Sequence, residues 1–281
     1  MSLSADRGRW YVVKIGGELA QDRAGLAASV GNAVRAFLDA GIKVAVVHGG
    51  GPQANILSEK LGIEARKVGG RRITDEATLE VMKMTLAGQV SVDVAAAFRI
   101  AKVPALCTTG VSAGLVEAVK RPPRVFSGGG PDPVDLGWVG DVVGVDVAAL
   151  ERLASAGFVP VLGSLSGDAQ GQVFNINADT VATRVAAKLS AARLFLVSNV
   201  PGVLANREDP TSRFPRLTPS EALKQIDAGV IQGGMIPKVE ESLAMLEEGI
   251  GAIHIVGIHP ASALLDEAAQ PGCAGTVFAR D

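Results

Sequence analysis

The stretch KVAVVHGGGPQANIL, residues 43–57, joins a buried strand, a glycine-rich turn and the start of a helix. Its apolar run ends at His48, three glycines follow directly, and Pro52 suits the first turn of a helix. Glycine packs no side chain and loses backbone entropy on folding, so three in succession need a reason. They form either an ordinary tight turn or a cradle of bare N–H groups for an anion.

A second glycine turn occurs near the start of the chain, where the strand-like run WYVVKIGG (10–17) ends in Gly16 and Gly17. Further apolar runs alternate with helix-period segments, which predicts a mainly parallel sheet covered on both faces by helices. Ligands bind at the carboxyl ends of such strands. Two glycine turns on neighbouring strands, one of them beside Lys14, favour phosphate binding over ordinary turns.

Composition restricts the possible functions. The chain has 281 residues, which suggests two closely joined lobes, and a net charge of −2, which argues against a nucleic-acid surface. Its two cysteines are far apart, and its three histidines lack the spacing of metal ligands, so we expect no disulfide framework and no metal site. No apolar run reaches the ~18 residues of a membrane helix, so we expect a cytoplasmic protein without membrane contact.

Other charged and polar residues stand at predicted strand ends. Lys238, in GGMIPK, begins a helix, where its charge opposes the helix dipole unless an anion binds there. Asn175 and Asp179 flank a strand-to-helix junction, and Arg71 and Arg72 lie in a predicted hairpin (65–74). Each has an ordinary alternative as a solvated or helix-capping residue.

Three local structures are also predicted. Thr74 is expected to cap the helix that follows it. The segment 120–133, KRPPRVFSGGGPDP, is expected to be a loop, and 135–145, DLGWVGDVVGV, a hairpin. Neither Gly-x-x-x-x-Gly-Lys-Ser/Thr nor a convincing Gly-x-Gly-x-x-Gly follows the first strand, which counts against the common phosphate and dinucleotide motifs.

Six motifs in fixed order give a specific resemblance: VVKIGGEL, VVHGGGPQ, GRRITDEATLEVMKM, DLGWVGDV, FNINADTVA and GGMIPKV. Together, and over nearly the whole chain, they resemble the acetylglutamate kinases of the amino acid kinase superfamily. The resemblance implies a three-layer α/β/α sandwich. It also implies an N-terminal lobe, 1–178, that binds the acyl amino acid and dimerises, and a C-terminal lobe, 179–281, that binds ATP.

The resemblance further implies ATP-dependent phosphorylation of the side-chain carboxylate of N-acetyl-L-glutamate, a step of arginine biosynthesis, with Mg²⁺ carried by the nucleotide. The implied catalytic residues are Lys14, Lys238 and Asp179. The implied substrate-binding residues are Gly49, Gly50, Arg72 and Asn175, and the implied ATP-binding residues are Gly16, Gly17, Ser198, Asn199 and Gly202. Because a carboxylate acceptor is already a nucleophile, this reaction needs no general base, in agreement with the lack of a histidine-based constellation.

Three departures from the family pattern concern the acceptor and the nucleotide. TGVSAGL (109–115) replaces a Ser-Gly-x-Asp-Gly motif, Asn199 replaces an aspartate, and the segment 120–133 adds Lys120, Arg121 and Arg124. Related acceptors therefore stay open, such as N-succinylglutamate or a carrier-linked aminoadipate. A non-catalytic binding protein on the same fold is a second alternative.

Assembly follows from the same resemblance. Arginine-inhibited members of this family carry an extra N-terminal helix that links dimers into a hexamer. Here nine residues, Met1 to Arg9, precede the first strand, and as a helix they would span about 14 Å. We therefore predict a homodimer built through the N-terminal lobe, with weak or no inhibition by arginine.

Overall fold

A central sheet of eight strands organises the protein. The computed structural model describes residues 3–126, 130–206, 208–232 and 235–280, without the side chains at positions 237, 238, 241 and 245. The strands of this sheet and of two smaller sheets are, in chain order, β1 (Trp10–Ile15), β2 (Lys43–His48), β3 (Lys67–Val68), β4 (Arg71–Arg72), β5 (Ala105–Thr109), β6 (Val116–Lys120), β7 (Gly140–Val145), β8 (Val159–Gly163), β9 (Leu165–Gly167), β10 (Val173–Asn175), β11 (Arg193–Val197), β12 (Arg216–Leu217), β13 (Ala252–Val256) and β14 (Gly275–Phe278).

Helices connect most of these strands. They are α1 (Arg23–Leu26), α2 (Asn32–Asp39), α3 (Gly51–Lys60), α4 (Glu76–Lys83), α5 (Ser91–Ile100), α6 (Val147–Ser155), α7 (Ala178–Lys188), α8 (Pro219–Asp227), α9 (Met235–Glu247) and α10 (Ala263–Ala269). Short π-helical segments, Ala27–Gly31 and Met84–Val90, join α1 to α2 and α4 to α5.

The large sheet has the order β12-β14-β13-β11-β1-β2-β8-β5. All of its neighbouring pairs are parallel except β13 with β14. The predicted, mainly parallel α/β sheet is therefore confirmed. Ile15, at the end of β1, pairs with His48 on one side and Val197 on the other, so three strands end side by side at one edge.

Side chains of β1 alternate between two cores. Tyr11, Val13 and Ile15 pack in one apolar cluster, and Trp10 and Val12 pack in the other. Since successive residues of a strand point to opposite faces, the two clusters lie on opposite sides of the sheet. The expected three-layer sandwich is confirmed.

A smaller sheet, in the order β10-β9-β6-β7, and the hairpin β3–β4 lie beside the carboxyl edge. The predicted hairpin at 135–145 is wrong: only Gly140–Val145 form a strand, which pairs antiparallel with β6. The residues before it form isolated bridges, Gly137 with Thr74 and Val139 with Asn175. The segment 120–133 is mostly loop as predicted, and its residues 127–129 lie outside the described residues.

The helical run Glu76–Ile100 has 25 residues, and its most apolar 18-residue window has a mean hydropathy of 1.2, which would suit a membrane span by length and composition. Half of its most apolar window is buried inside the fold, as in a core helix of a globular protein. Asp75, not Thr74 as predicted, caps this run, because its carboxylate accepts a hydrogen bond from the Thr78 N–H at 2.9 Å. Thr74 has another role, described below.

Candidate active site

A cavity of about 320 Å³ opens at the carboxyl edge of the large sheet, where the hairpin and the smaller sheet face it. It collects residues from both glycine turns, the hairpin and the start of α7. Its lining comprises Lys14, Gly16, Gly17, Glu18, Gly49, Gly50, Gly51, Pro52, Gly70, Arg71, Arg72, Met82, Arg121, Leu136, Val139, Ser164, Asn175, Ile176, Asn177 and Ala178.

The two glycine turns form the floor of this cavity and touch each other. A side chain on Gly17 would place its Cβ 2.7 Å from the Cα of Gly50, closer than any real contact. A side chain on Gly50 would meet the Leu86 side chain at 2.8 Å. Packing alone therefore requires glycine at both positions. No atom of the described residues lies within 4 Å of a Cβ built on Gly51, so their packing leaves room for a side chain there.

Two helix N-termini line the cavity. Helix α3 begins at Gly51, directly after the turn, and α7 begins at Ala178. Asn177 caps α7 by accepting a hydrogen bond from the Asp179 N–H at 2.9 Å. Helix N-termini carry partial positive charge and unpaired donors, so both favour an anion in the space between them.

An ion pair joins β1 to α7. The Lys14 ammonium lies 3.0 Å from the Asp179 carboxylate, and the two side chains are only 11% and 20% exposed. Lys14 stands between Val47 and Leu196 of the neighbouring strands, which leave it no polar partner within the sheet. Asp179, in the first turn of α7, is favoured by the helix dipole and fixes the lysine beside the glycine floor.

Arg72 supplies an unsatisfied cation in the cavity wall. Its Nη2 donates to the Asn55 side-chain oxygen and to the Gly51 carbonyl, whereas its buried Nη1 has no partner among the described residues. Burial lowers the pKa of its guanidinium, although arginine stays charged in proteins. Burying a charged donor without an acceptor costs free energy, so Arg72 favours binding of an anion in the cavity.

Hydrogen bonds hold Asn175 on the same wall. Its Nδ2 donates to the Thr74 hydroxyl at 3.1 Å, and its backbone N–H donates to the Trp138 carbonyl. The Trp138 N–H in turn donates to the Thr74 carbonyl at 2.7 Å. Thr74 thus ties the segment after the hairpin to β10 instead of capping a helix.

Comparison with known proteins agrees with this geometry. The model of the amino acid kinase family matches residues 9–257. The chain belongs to the amino acid kinase family. It is 51% identical to the acetylglutamate kinase of Sorangium cellulosum (strain So ce56), over 95% of this chain and 93% of that protein. It is 47% identical to the acetylglutamate kinase of Anaeromyxobacter dehalogenans (strain 2CP-C), over 95% of this chain and 98% of that one.

A solved structure supports the fold of this amino acid kinase. The protein smu.665 from Streptococcus mutans UA159 superposes with a TM-score of 0.76 at 28% identity, covering 97% of this chain and 99% of that one. The resemblance to acetylglutamate kinases is confirmed by the curated relatives, and the chain is a phosphotransferase.

Some of the residues expected to bind the nucleotide lie outside the cavity lining in this kinase. Ser198 and Asn199 directly follow β11, which ends beside β1, so they share the carboxyl edge with Gly16. They do not line the cavity as the described residues define it. Gly202 is required by packing, because a Cβ there would lie 2.6 Å from the Thr276 hydroxyl. Lys238 is in α9, and its side chain lies outside the described part of the structure.

Sequence reasoning missed Gln53, Asn55 and Glu18 in this site, and it considered Arg121 only as part of a segment that departs from the family pattern near the acceptor. Gln53 donates from its side chain to the Gly17 carbonyl and so joins the two glycine turns. Asn55 holds Arg72, and Glu18 and Arg121 line the cavity. The position of Gln53 in the motif VVHGGGPQ was a signal that could have identified it. No cluster of three or more His, Cys, Asp or Glu residues suited to a metal occurs among the described residues.

Proposed function

We propose that this protein transfers the γ-phosphoryl group of ATP to the side-chain carboxylate of N-acetyl-L-glutamate, in arginine biosynthesis. An oxygen of the acceptor carboxylate forms a bond to the γ-phosphorus while the bond from that phosphorus to the β–γ bridging oxygen breaks, giving an acyl phosphate and ADP. The observation that carries the proposal is one cavity lined by Lys14, which pairs with Asp179, and by Arg72, whose buried Nη1 has no partner among the described residues. One cation meets the phosphoryl group and the other meets a second carboxylate of the acceptor.

Catalysis in this proposal is positioning and charge neutralisation. Lys14 and Lys238 neutralise the transferring phosphoryl group, and Asp179 orients them. Gly49 and Gly50 contribute to acceptor binding at the floor of the cavity. Arg72 binds the non-reacting carboxylate and Asn175 the amino-acid portion. The support is geometric: Lys14, Arg72, Asn175 and both glycines line one cavity of about 320 Å³, and Asp179 pairs with Lys14.

No side chain needs to act as a base. A carboxylate acceptor is ionised at neutral pH, and the nearest histidine is unsuited to the role. His48 is buried, with Nε2 3.1 Å from the Ser91 hydroxyl. Burial lowers its pKa to about 4, so it stays neutral in the working range and acts as a packing residue.

ATP occupies the remainder of the edge in this proposal. Gly16 and Gly17 donate backbone N–H groups to the phosphates, while Ser198, Asn199 and Gly202 lie on the nucleotide side. Residues 1–178 then form the acceptor lobe and 179–281 the nucleotide lobe. Mg²⁺ supplies charge neutralisation on the phosphates and arrives with the nucleotide, since protein sites for this ion usually rely on substrate phosphates.

Trapping of the product tests the reaction. Purified protein with Mg·ATP and N-acetyl-L-glutamate should form an acyl phosphate that hydroxylamine converts to a hydroxamate, with one ADP for each hydroxamate. N-Succinyl-L-glutamate and an N-acylated aminoadipate, assayed in competition, measure the acceptor preference. ADP formation without hydroxamate, or preference for another acceptor, contradicts the proposal. A protein that binds ATP without turnover would be the non-catalytic alternative.

A cytoplasmic homodimer completes the proposal. Edge strand β5 exposes Leu106, and the adjacent helix α5 exposes Val92 and Ile100, which are 65% and 63% exposed. Such apolar side chains on an open sheet edge suit association with a second copy. Light scattering at micromolar protein should give a dimer, and Ile100→Lys should shift it toward monomer. A wild-type monomer contradicts this part.

A further inference from the structure

Arg121 stands at the start of the unusual loop 121–133 and belongs to the cavity wall. It directly follows β6, and its N–H donates to the Val139 carbonyl at 2.8 Å. Its side chain lines the same cavity as Arg72 and Asn175 and is only 14% exposed. A guanidinium in this position needs a reason, because desolvating a charge is costly.

The guanidinium of Arg121 is fixed from one side. Its Nε donates to the Asp141 carboxylate at 2.8 Å, and its Nη2 lies 2.7 Å from the same oxygen and 3.5 Å from the Gly140 carbonyl. Nη1 contacts no acceptor among the described residues. Arg124 uses the same Asp141 oxygen at 3.2 Å, so one carboxylate balances two guanidiniums. Arg121 is thus held in place, while its charge is only partly balanced and its Nη1 remains available to donate to a ligand.

A chain of hydrogen bonds places Arg121 on the wall that carries the proposed acceptor-binding residues. Val139, which accepts from Arg121, forms a bridge with Asn175. Asn175 in turn donates to the Thr74 hydroxyl, two residues after Arg72 in the chain. These contacts connect the backbone at Arg121 to Asn175 and to the segment that follows Arg72, so the three residues belong to one connected wall, which favours recognition of one small ligand.

Cationic residues outnumber carboxylates in the cavity lining. Cations line it at Lys14, Arg71, Arg72 and Arg121, against one lining carboxylate, Glu18. A carboxylate has about four lone-pair sites and accepts two guanidiniums readily. Resting on the proposed function, we infer that Arg121 is a second guanidinium donor, with Arg72, to the non-reacting α-carboxylate of the acceptor, and so determines acceptor specificity.

An amide analogue of the acceptor isolates this contact. In Arg121→Gln, KM for N-acetyl-L-glutamate should rise about 10- to 100-fold, the range for loss of a charge-assisted hydrogen bond, with kcat and KM for ATP little changed. With the α-carboxamide of N-acetyl-L-glutamate, whose side-chain carboxylate still reacts, wild type and Arg121→Gln should have the same KM. Arg121→Lys keeps the charge but loses the planar fork, and should recover only part of the affinity.

Arg124→Gln is the matched control, because Arg124 shares Asp141 yet is 50% exposed and is not in the cavity lining that the described residues form. It should leave both acceptors unaffected, and thermal unfolding should show that all variants are folded. An unchanged KM in Arg121→Gln, or an equal rise for both acceptors, overturns the inference while wild-type turnover upholds the proposed function. Wild-type protein without hydroxamate formation refutes the proposed function instead; calorimetric titration of N-acetyl-L-glutamate into wild type and Arg121→Gln then decides the subsite, and equal affinities, or no binding, overturn it.

Discussion

Replacing Asp179 with asparagine tests the central ion pair, because it removes the charge and keeps the size. At 3.0 Å and an effective dielectric constant near 20, the attraction between Lys14 and Asp179 is about 5 kcal/mol. The asparagine oxygen still accepts a hydrogen bond, and water screens the charges because both side chains are partly exposed. The variant therefore loses less stability than this attraction. We therefore expect Asp179→Asn to lower the free energy of unfolding by about 2–3 kcal/mol. Because Lys14 loses its anchor, kcat should fall by roughly 10².

Urea unfolding followed by circular dichroism gives the stability, and hydroxamate formation gives kcat. The control is Glu151→Gln, which makes the same change from carboxylate to amide in a more exposed ion pair. The Glu151 carboxylate lies 2.7 Å from the Lys43 ammonium, and both side chains are 36% exposed. Exposed ion pairs contribute about 0–1 kcal/mol to stability, so this variant should be nearly as stable as the wild type and fully active. If Asp179→Asn matched Glu151→Gln in both measurements, the pair would be an ordinary surface contact and the assignment would be wrong.

Further predictions use the same assays. Arg72→Lys should raise the acceptor KM about 10-fold or more with KM for ATP unchanged, since lysine cannot replace the planar fork, and a normal acceptor KM would exclude that role. Gly51→Ala should fold normally, because its surroundings are open, yet lose activity if a ligand approaches its backbone; Gly50→Ala should lose stability through its clash with a core leucine, and equal stability of the two variants would contradict this distinction. The hydrogen bond from the Thr78 backbone N–H lowers the pKa of Asp75 in the folded protein. The ionised carboxylate therefore stabilises the fold above the unfolded pKa, near 3.9, and this stabilisation is lost as the pH falls through the folded pKa. Asp75→Ala should thus cost about 1 kcal/mol at pH 7, and the difference from wild type in urea unfolding should vanish in acid; a constant difference would refute the charge effect. Cys107 is partly buried, which raises its pKa to about 11, so iodoacetamide at pH 8 should label it much more slowly in the native protein than after unfolding. Equal labelling rates, read by peptide mass spectrometry, would contradict this.

Local patterns predicted the large sheet because its strands are short apolar runs bounded by glycine and polar turns. The same reasoning failed where pairing is distant in sequence. The strand at 140–145 pairs with Val116–Lys120 across a long loop, whereas a local hairpin at 135–145 was expected. The helix cap was misplaced by one residue because Thr74 and Asp75 are both good caps, and only the distant Asn175 decides between them.

The candidate site was predictable to the extent that motifs specify single residues. The motifs named Lys14, Asp179 and Arg72, and the structure brings all three to one edge. Asn55 was missed because its role depends on the angle at which α3 approaches the hairpin, which no local pattern encodes. Arg121 was linked to the acceptor only through the departure of its whole segment, and its place in the wall depends on the β6–β7 pairing.

The glycine floor shows why sequence and structure give different reasons for one motif. From the sequence, three consecutive glycines suggested backbone kept bare for an anion. In the structure, Gly50 is bare because Leu86 and Val90 of a π-helical segment press against it from below, at 2.8 and 3.1 Å from a would-be Cβ. The same turn lies against Gly17 and leads into α3, whose first residues line the cavity. Packing therefore explains the glycine at position 50. At Gly51 no described atom would meet a Cβ, so an anion close to the backbone is the remaining physical reason for glycine there.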